Sequence, residues 1–252
     1  MSPYISSAAA WQESWDRQQE AYLPDREHRF ATMLDAVDAV REATPPRLLD
    51  LAGGTGTISL RALHRFPDAE ITLVDLDPAL LALATASLGD RATVVTADLS
   101  RSDWTTALPH RRYDAVLTAT ALHWLPADRL GTLYAEIREV LRPGGLFINA
   151  DHMPDDDLPE LTKRLLARAE ERRAARHAAG AVLSWSQWWQ QAEQDPTLAP
   201  LVRQRHAIYP SGHSPEWTPP ASWHLTALRD AGFTEVGTLW RGGTDAAVVA
   251  IH

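Results

Sequence analysis

The segment Asp50-Leu51-Ala52-Gly53-Gly54-Thr55-Gly56 places small residues where an apolar run gives way to a helical one. Such a turn exposes backbone amides and lets a ligand approach closely, which suits a nucleotide-like molecule. Asp75 stands 19 residues beyond Gly56, at the end of the next apolar run. A carboxylate there can accept both hydroxyls of a ribose. Asp98 ends a third run and can accept from an exocyclic adenine amino group. His123 follows a fourth run and Asp151-His152 follow a fifth, so all three should face one crevice as proton-transfer candidates. His123 is the first candidate base. Orienting a substrate or satisfying a buried hydrogen bond is the competing role for each.

These residues need a scaffold that brings run ends together. Phe30, Met33, Leu34, Val37 and Val40 recur at helical spacing, with Pro24 suited to the first turn. Arg47 to Leu51 is too short for a helix and reads as a strand, and Thr57 to about Arg65 as a helix. The unit then repeats. Glu70 to Val74 is a strand, Asp75-Leu76-Asp77-Pro78 a turn with Asp77 placed to cap, and Ala79 to Leu88 a helix stopped by Gly89. Arg91 to Thr96 and Tyr113 to Thr118 are the third and fourth strands. Leu130, Leu133, Tyr134, Ile137, Val140 and Leu141 trace a helix stopped by Pro143-Gly144-Gly145, and Leu146 to Ala150 is the fifth strand. Strands alternating with helices over short loops give a parallel sheet covered on both faces. After a helix over Leu225 to Ala231, Phe233 to Trp240 and Ala246 to Ile251 read as a hairpin on the sheet edge, turning at Arg241-Gly242-Gly243.

Four motifs, taken in order and spacing, resemble those of class I S-adenosylmethionine-dependent methyltransferases: Leu48-Leu49-Asp50-Leu51-Ala52-Gly53-Gly54-Thr55-Gly56, Leu73-Val74-Asp75-Leu76-Asp77-Pro78, Ala97-Asp98-Leu99 and Leu141-Arg142-Pro143-Gly144-Gly145. The resemblance covers about residues 25 to 150. It implies an α/β fold, a doubly wound, mostly parallel seven-stranded Rossmann-like sheet with a helical insertion before the last strands. It also implies S-adenosyl-L-methionine as cofactor. By position, Ala52, Gly53, Gly54 and Gly56 would hold the methionine part, Asp75 with Leu76 the ribose, Asp98 and Leu99 the adenine, and Thr118 the region of the sulfonium. Ala52 departs from the family's first glycine, and a positive φ there would weaken cofactor binding. Dinucleotide dehydrogenases share the early pattern but need a glycine where this chain has Thr57. The loop Thr118-Ala119-Thr120-Ala121-Leu122-His123-Trp124-Leu125 is similar to that of the trans-aconitate and juvenile hormone acid methyltransferases, which act on small carboxylic acids. A second use of the same pocket stays open, in which the cofactor's charge serves a cyclisation or elimination without methyl transfer.

The resemblance makes residues 1–252 one domain: a helical lid (1–44), a cofactor-binding core (45–150), a Trp-rich helical cap (151–222), and a C-terminal helix and strand pair (223–252). Tyr22, after Trp11 and Trp15, can cover a sulfonium with its face or pin the lid by burial. Trp124, Asp151 and Trp185 are the candidate acceptor-pocket residues, with Trp188, Trp189, Trp217 and Trp223 nearby in the sequence. Trp188 and Trp189 point about 100° apart on a helix, so one ligand cannot readily meet both. The helix from Leu158 to about Ala179 carries Arg164, Arg168, Arg172, Arg173 and Arg176 among glutamates and reads as a solvated face.

Composition narrows the remaining classes. Against 24 basic side chains stand 33 acidic ones, a net charge of -9, which argues against a nucleic-acid partner. Cysteine is absent, which removes disulfides and thiolate metal sites. Lys163, the sole lysine, lies in no Schiff-base or Walker motif. His123, Asp151, His152, His213 and His224 show no metal-ligand spacing, and Asp155-Asp156-Asp157 reads as a solvated loop, so no metal is expected. No apolar run crosses a bilayer and Met1 to Ala10 lacks a signal-peptide pattern, so a cytoplasmic protein with no membrane partner is expected. The partner is a small-molecule substrate, and a homodimer is compatible with the sequence.

Overall fold

The computed structural model describes residues 7–42, 45–210 and 216–252. Its centre is a seven-stranded sheet in the order β3-β2-β1-β4-β5-β7-β6. The strands are β1 (Arg47–Leu51), β2 (Glu70–Asp75), β3 (Ala92–Thr96), β4 (Tyr113–Ala119), β5 (Leu141–His152), β6 (Glu235–Gly242) and β7 (Asp245–Ile251). The first five run parallel, and β7 lies antiparallel to both β5 and β6. The terminal hairpin therefore adds to the β5 edge, as its turn residues suggest.

Neighbouring residues of one strand enter opposite layers. Leu48 packs with Phe30, Met33 and Val37 of α2 (Arg26–Val40) and with Ile58 and Leu63 of α3 (Thr57–Arg65). Leu49 packs on the other face with Leu130, Tyr134 and Ile137 of α5 (Ala127–Val140) and Leu228 of α9 (Ala221–Asp230). Burial on both faces explains why β1, β2 and β4 are near-continuous apolar runs rather than alternating ones. It also leaves the carboxyl ends as the open side of the sheet. The order places β1 beside β4, and the chain turns to opposite faces after these two strands. That is the switch point at which such sheets bind ligands.

Several boundaries differ from the sequence reading. The segment before α2 is itself a helix, α1 (Ala8–Tyr22), whose buried face is Gln12, Trp15, Gln18 and Ala21. Half of that stripe is glutamine, so hydrophobic periodicity could not reveal it. Pro24 precedes α2 instead of opening it, because Asp25 caps that helix with φ 66°. Strand β5 begins at Leu141 and runs through Pro143-Gly144-Gly145, where its register with β4 shifts. A Cβ on Gly145 would lie 3.0 Å from the Tyr113 carbonyl oxygen, so this glycine permits the close passage of two backbones.

The insertion consists of α6 (Pro159–Ala178), α7 (Trp185–Gln194) and α8 (Ala199–Ile208). Along α6 only Thr162 is buried, and Arg168 and Arg173 pair with Glu171 and Glu170. Helix α7 starts at a capping box formed by Ser184 and Gln187. Trp188 and Trp189 then pack with Trp15 of α1, Leu80 and Leu83 of α4 (Pro78–Leu88), and Val202 of α8. No helix among the described residues is long and apolar enough to cross a membrane.

Candidate active site

At the end of β1 the chain turns through Ala52 at φ 52°, Gly54 at φ 54° and Gly56 at φ 85°. For an alanine that conformation costs roughly 1–2 kcal/mol. Gly53 has no such φ but cannot carry a side chain, since a Cβ would fall 2.7 Å from Leu73 Cγ and 2.8 Å from Asp50 Cγ. Thr120, just past β4, is also left-handed at φ 50°. A β-branched residue there is an outlier, and strain of this kind gathers at functional sites. The two strained residues follow the two strands that flank the switch point.

Asp75 ties the glycine turn to the tip of β2. Its Oδ2 accepts from the Gly54 amide at 2.8 Å, and its Oδ1 accepts from the amides of Leu76 and Asp77 at 2.7 and 2.9 Å. Burial raises its pKa against these bonds. About four acceptor directions serve a carboxylate, so three backbone donors leave one for a ligand hydroxyl. Accepting both ribose hydroxyls would need a backbone bond to give way, a correction to the simpler sequence expectation. Asp77 is the expected cap, accepting from Ala79 and Leu80 amides at 2.9 and 3.3 Å. It also pairs with Arg205 of α8 at 2.7 Å, the point where the insertion reaches the strand tips. Burial pushes Asp77 up to about 6, with Arg205 pulling it back. Asp50 accepts from the Ser59 amide and hydroxyl at 3.0 and 2.6 Å, while its Oδ1 is buried without a partner. Burial raises Asp50 to about 6.

At the tip of β3, Asp98 is half-buried and accepts from the Ser100 amide at 2.9 Å. Arg129 of α5 holds the following loop by donating to the Leu99 carbonyl at 2.6 Å and to Glu136, which also accepts from the Trp104 indole at 2.7 Å. Tyr209, beyond α8, is raised by burial and by the Asp75 and Asp77 carboxylates, so the insertion places a second residue near this acidic edge. The Thr118 hydroxyl on β4 is buried without a partner.

Beyond β4 and β5 the three proton-transfer candidates do meet. His123 Nδ1 lies 2.7 Å from Asp151 Oδ1, which also accepts from the His152 amide at 2.8 Å. Burial would raise Asp151, but His123 and His152 together hold it below the usual carboxylate range. The two imidazole centroids are 5.8 Å apart. His152 Nδ1 in turn lies 2.8 Å from Asp245 Oδ1, whose Oδ2 accepts from Arg29 at 3.0 Å. Asp245 and Arg29 were missed in the sequence. The signal for Asp245 is register, since it opens β7 directly opposite His152. Arg29 sits on the buried face of α2, with its guanidinium 4.4 Å from the Trp240 ring.

The tryptophans divide into two groups, which corrects the single expected pocket. Trp185 packs against Trp15 at 5.6 Å and Trp189 at 5.8 Å, and so belongs to the apolar cluster under α7. Trp124 is 4.8 Å from the His123 ring, and the Trp217 amide donates to the His123 carbonyl at 2.9 Å, with Trp223 edge-to-face against Trp217 at 4.7 Å. Tyr22 joins the first group: its hydroxyl accepts from the Trp185 amide at 3.3 Å and its face is covered by Arg173 at 4.7 Å. Burial at the α1, α6 and α7 junction thus takes the surface that the sulfonium role would use. Helix α1 does reach the glycine turn, because Asp16 and Gln12 both bond the Thr57 hydroxyl at the start of α3. A groove of about 800 Å³ lies beside that junction, lined by Gln12, Asp16, Arg61 and Val182 and by none of the strand-tip carboxylates.

His224 is not part of the crevice pair. It bonds the Tyr134 hydroxyl at 2.6 Å, and burial depresses it to about 4, so it is a neutral core group. His213 lies outside the described residues. Asp155, Asp156 and Asp157 approach one another, but Asp155 pairs with Arg241 at 3.0 Å and Asp156 accepts from Ser222 at 2.7 Å.

A doubly wound sheet with a glycine turn and acidic tips at its switch point defines a Rossmann-like nucleotide-cofactor protein. A family description of a methyltransferase domain matches residues 48–145. The chain is 34% identical over 136 residues to the trans-aconitate 2-methyltransferase of Streptomyces avermitilis, covering 52% of this chain and 48% of that protein. It is 33% identical over 138 residues to the malonyl-acyl-carrier-protein O-methyltransferase of Geobacter sulfurreducens, covering 48% and 49%. The chain spans about half the length of these curated relatives. Human N-acetylserotonin methyltransferase, solved in complex with S-adenosylmethionine, superposes with a TM-score of 0.55 at 15% identity over 98% of this chain and 60% of that one, a likeness of fold. Residues 48–145 match a methyltransferase domain shared with these relatives, a likeness that points to S-adenosylmethionine as the methyl donor.

The residues present fit that cofactor. It brings an ammonium, a sulfonium and hydroxyl and amino donors. The strand tips offer an orphaned buried oxygen on Asp50, the open acceptor direction of Asp75, and Asp98.

Proposed function

We propose that the protein transfers the methyl group of S-adenosylmethionine to an oxygen of a small acid or hydroxyl-bearing molecule. In this reading Ala52, Gly53, Gly54 and Gly56 hold the methionine part, Thr118 lies in the region of the sulfonium, Asp75 and Leu76 hold the ribose, and Asp98 and Leu99 the adenine. When bound, the cofactor supplies a methyl carbon whose bond to positive sulfur breaks with the electron pair left on sulfur, giving S-adenosylhomocysteine. The chain's own task is to align an acceptor oxygen, exclude water and take a proton where there is one.

The observation that carries the reading is the His123–Asp151 pair at the ends of β4 and β5. With Nδ1 donating to the carboxylate, His123 keeps a lone pair on Nε2, the tautomer a base requires. A hydroxyl acceptor gives its proton to that nitrogen, and Asp151 stabilises the resulting imidazolium. A carboxylate acceptor arrives deprotonated and needs only to be oriented. Trans-aconitate and malonyl groups, named for two relatives, both carry carboxylates, which supports an oxygen acceptor.

The test incubates the protein with S-adenosylmethionine and a panel of small carboxylic acids and phenols. S-adenosylhomocysteine should appear with one of them. His123→Ala should lower kcat for a hydroxyl acceptor about 10²-fold or more, with cofactor affinity unchanged within about twofold. Equal loss in both would make His123 a binding residue. Conversion of a substrate that needs S-adenosylmethionine but leaves it unconsumed would instead establish a cyclisation or elimination.

A further inference from the structure

Both imidazoles at the crevice are anchored in the same way. Each has Nδ1 on a buried carboxylate, His123 on Asp151 and His152 on Asp245, and each therefore has only Nε2 left for another molecule. Neither Nε2 has a hydrogen-bond partner among the described residues. Their surroundings differ. The His123 side chain is 7% exposed and that of His152 is 29%, so His152 is the more accessible of the two. Asp151 shares one oxygen between His123 and the His152 backbone amide. Asp245 gives one oxygen to His152 and the other to Arg29, whose side chain is fully buried.

We propose that the pair divides its labour: His152, held by Asp245 and Arg29, is the site for a negative group on the acceptor, while His123 meets the oxygen that receives the methyl. Arg29 and Asp245 are positioning residues that act through His152. This rests on the methyl-transfer reading and adds to it the group that fixes the acceptor's orientation.

The charges facing His152 favour its protonated form. Asp245 comes from β7, Asp151 from β5 itself, and Glu216 from the segment before α9, against Arg29 on α2 and His123 beyond β4. Burial opposes a charge on His152, and the Asp245 bond and the three acidic groups outweigh it, so the ring holds a proton to higher pH than an ordinary histidine. An imidazolium with Nδ1 spent on Asp245 presents one N–H, at Nε2, to an anion. Arg29 prevents Asp245 from rotating away, since its buried guanidinium needs that carboxylate. The same arrangement brings the edge hairpin and α2 to bear on the acceptor side.

The test follows the histidine ring nitrogens by NMR in the full chain, with and without S-adenosylhomocysteine, using benzoate and phenol as probes. Benzoate should move the His152 Nε2 signal and raise that ring's apparent pKa, whereas phenol should move His123. His152→Gln should weaken benzoate binding about tenfold or more and leave S-adenosylhomocysteine affinity unchanged. Asp245→Asn strands Arg29 and can unfold the protein, so it is paired with Arg29→Met. In that double variant the apparent pKa of His152 should fall by about one unit or more. Benzoate that leaves His152 unmoved, or a His152 titration identical in the double variant, overturns the proposal. Loss of S-adenosylhomocysteine binding in the wild type would instead count against the methyl-transfer reading, because the benzoate response is read without it.

Discussion

Ala52→Gly should stabilise the protein, which is unusual for a glycine substitution. Ala52 sits at φ 52°, where its Cβ crowds the following carbonyl at a cost of roughly 1–2 kcal/mol. Glycine removes that cost but gains freedom in the unfolded chain worth about 0.4–1 kcal/mol. The difference leaves a net gain of about 0.5–1 kcal/mol, or a Tm rise of about 1–4 °C for a domain of this size. The next glycines set the controls. Gly54 has φ 54° and a Cβ there would meet nothing closer than Leu80 Cδ1 at 3.8 Å, so Gly54→Ala should cost only the conformational term. Gly53→Ala should cost more, because its Cβ would collide with Leu73 and Asp50 at 2.7 and 2.8 Å. Urea denaturation of the four proteins gives the order Ala52→Gly, wild type, Gly54→Ala, Gly53→Ala. If Ala52→Gly proves less stable than the wild type, the left-handed alanine is not strained and the argument fails.

Two further outcomes follow from burial. Asp50 and Asp77 titrate near 6 in the folded chain and near 3.8 when unfolded, so between these values the folded state binds more protons. Their contribution to stability is therefore full below about pH 4 and is lost as pH rises through 6. The stability difference between wild type and Asp50→Asn, measured by urea denaturation at intervals from pH 4 to 7, should change across that window and be flat above it. Trp188 is 1% exposed at the centre of the α1, α4 and α7 cluster, so Trp188→Ala should cost about 3–5 kcal/mol by the same method. A cost below about 1 kcal/mol would mean the ring is not part of a packed core.

How much could be read from the sequence depended on the range of each interaction. The five parallel strands and the glycine turn were visible because their causes are local: runs buried on both faces in β1, β2, β4 and β5, a β-branched run in β3, and residues that permit positive φ. Asp77 as cap and Gly89 as stop were visible for the same reason. Within the expected helical lid the bounds of α1 were not readable, because Gln12 and Gln18 fill buried positions, with Gln12 bonding Thr57 across 45 residues. The Arg29–Asp245–His152 group was hidden because its members lie 216 and 93 residues apart and meet only through sheet registry. Reading the last strand from Ala246 left Asp245 in a turn, and a start one residue earlier puts it opposite His152. The tryptophans of the insertion could not be assigned by type alone, since a flat ring serves a core or a ligand equally well. Trp185, Trp188 and Trp189 went to the core because α7 lies on α1 and α4.

The central claim is that neighbouring strand tips, through the glycine turn and Asp75, hold an adenosine-bearing sulfonium. Titration calorimetry with S-adenosylhomocysteine on the purified wild type and Asp75→Ala tests it most directly. One site per chain is expected in the wild type, and at least about tenfold weaker binding in the variant, which loses the acceptor for the Gly54 amide as well as for the ligand. No heat with the wild type, or equal affinity in the two proteins, would contradict it.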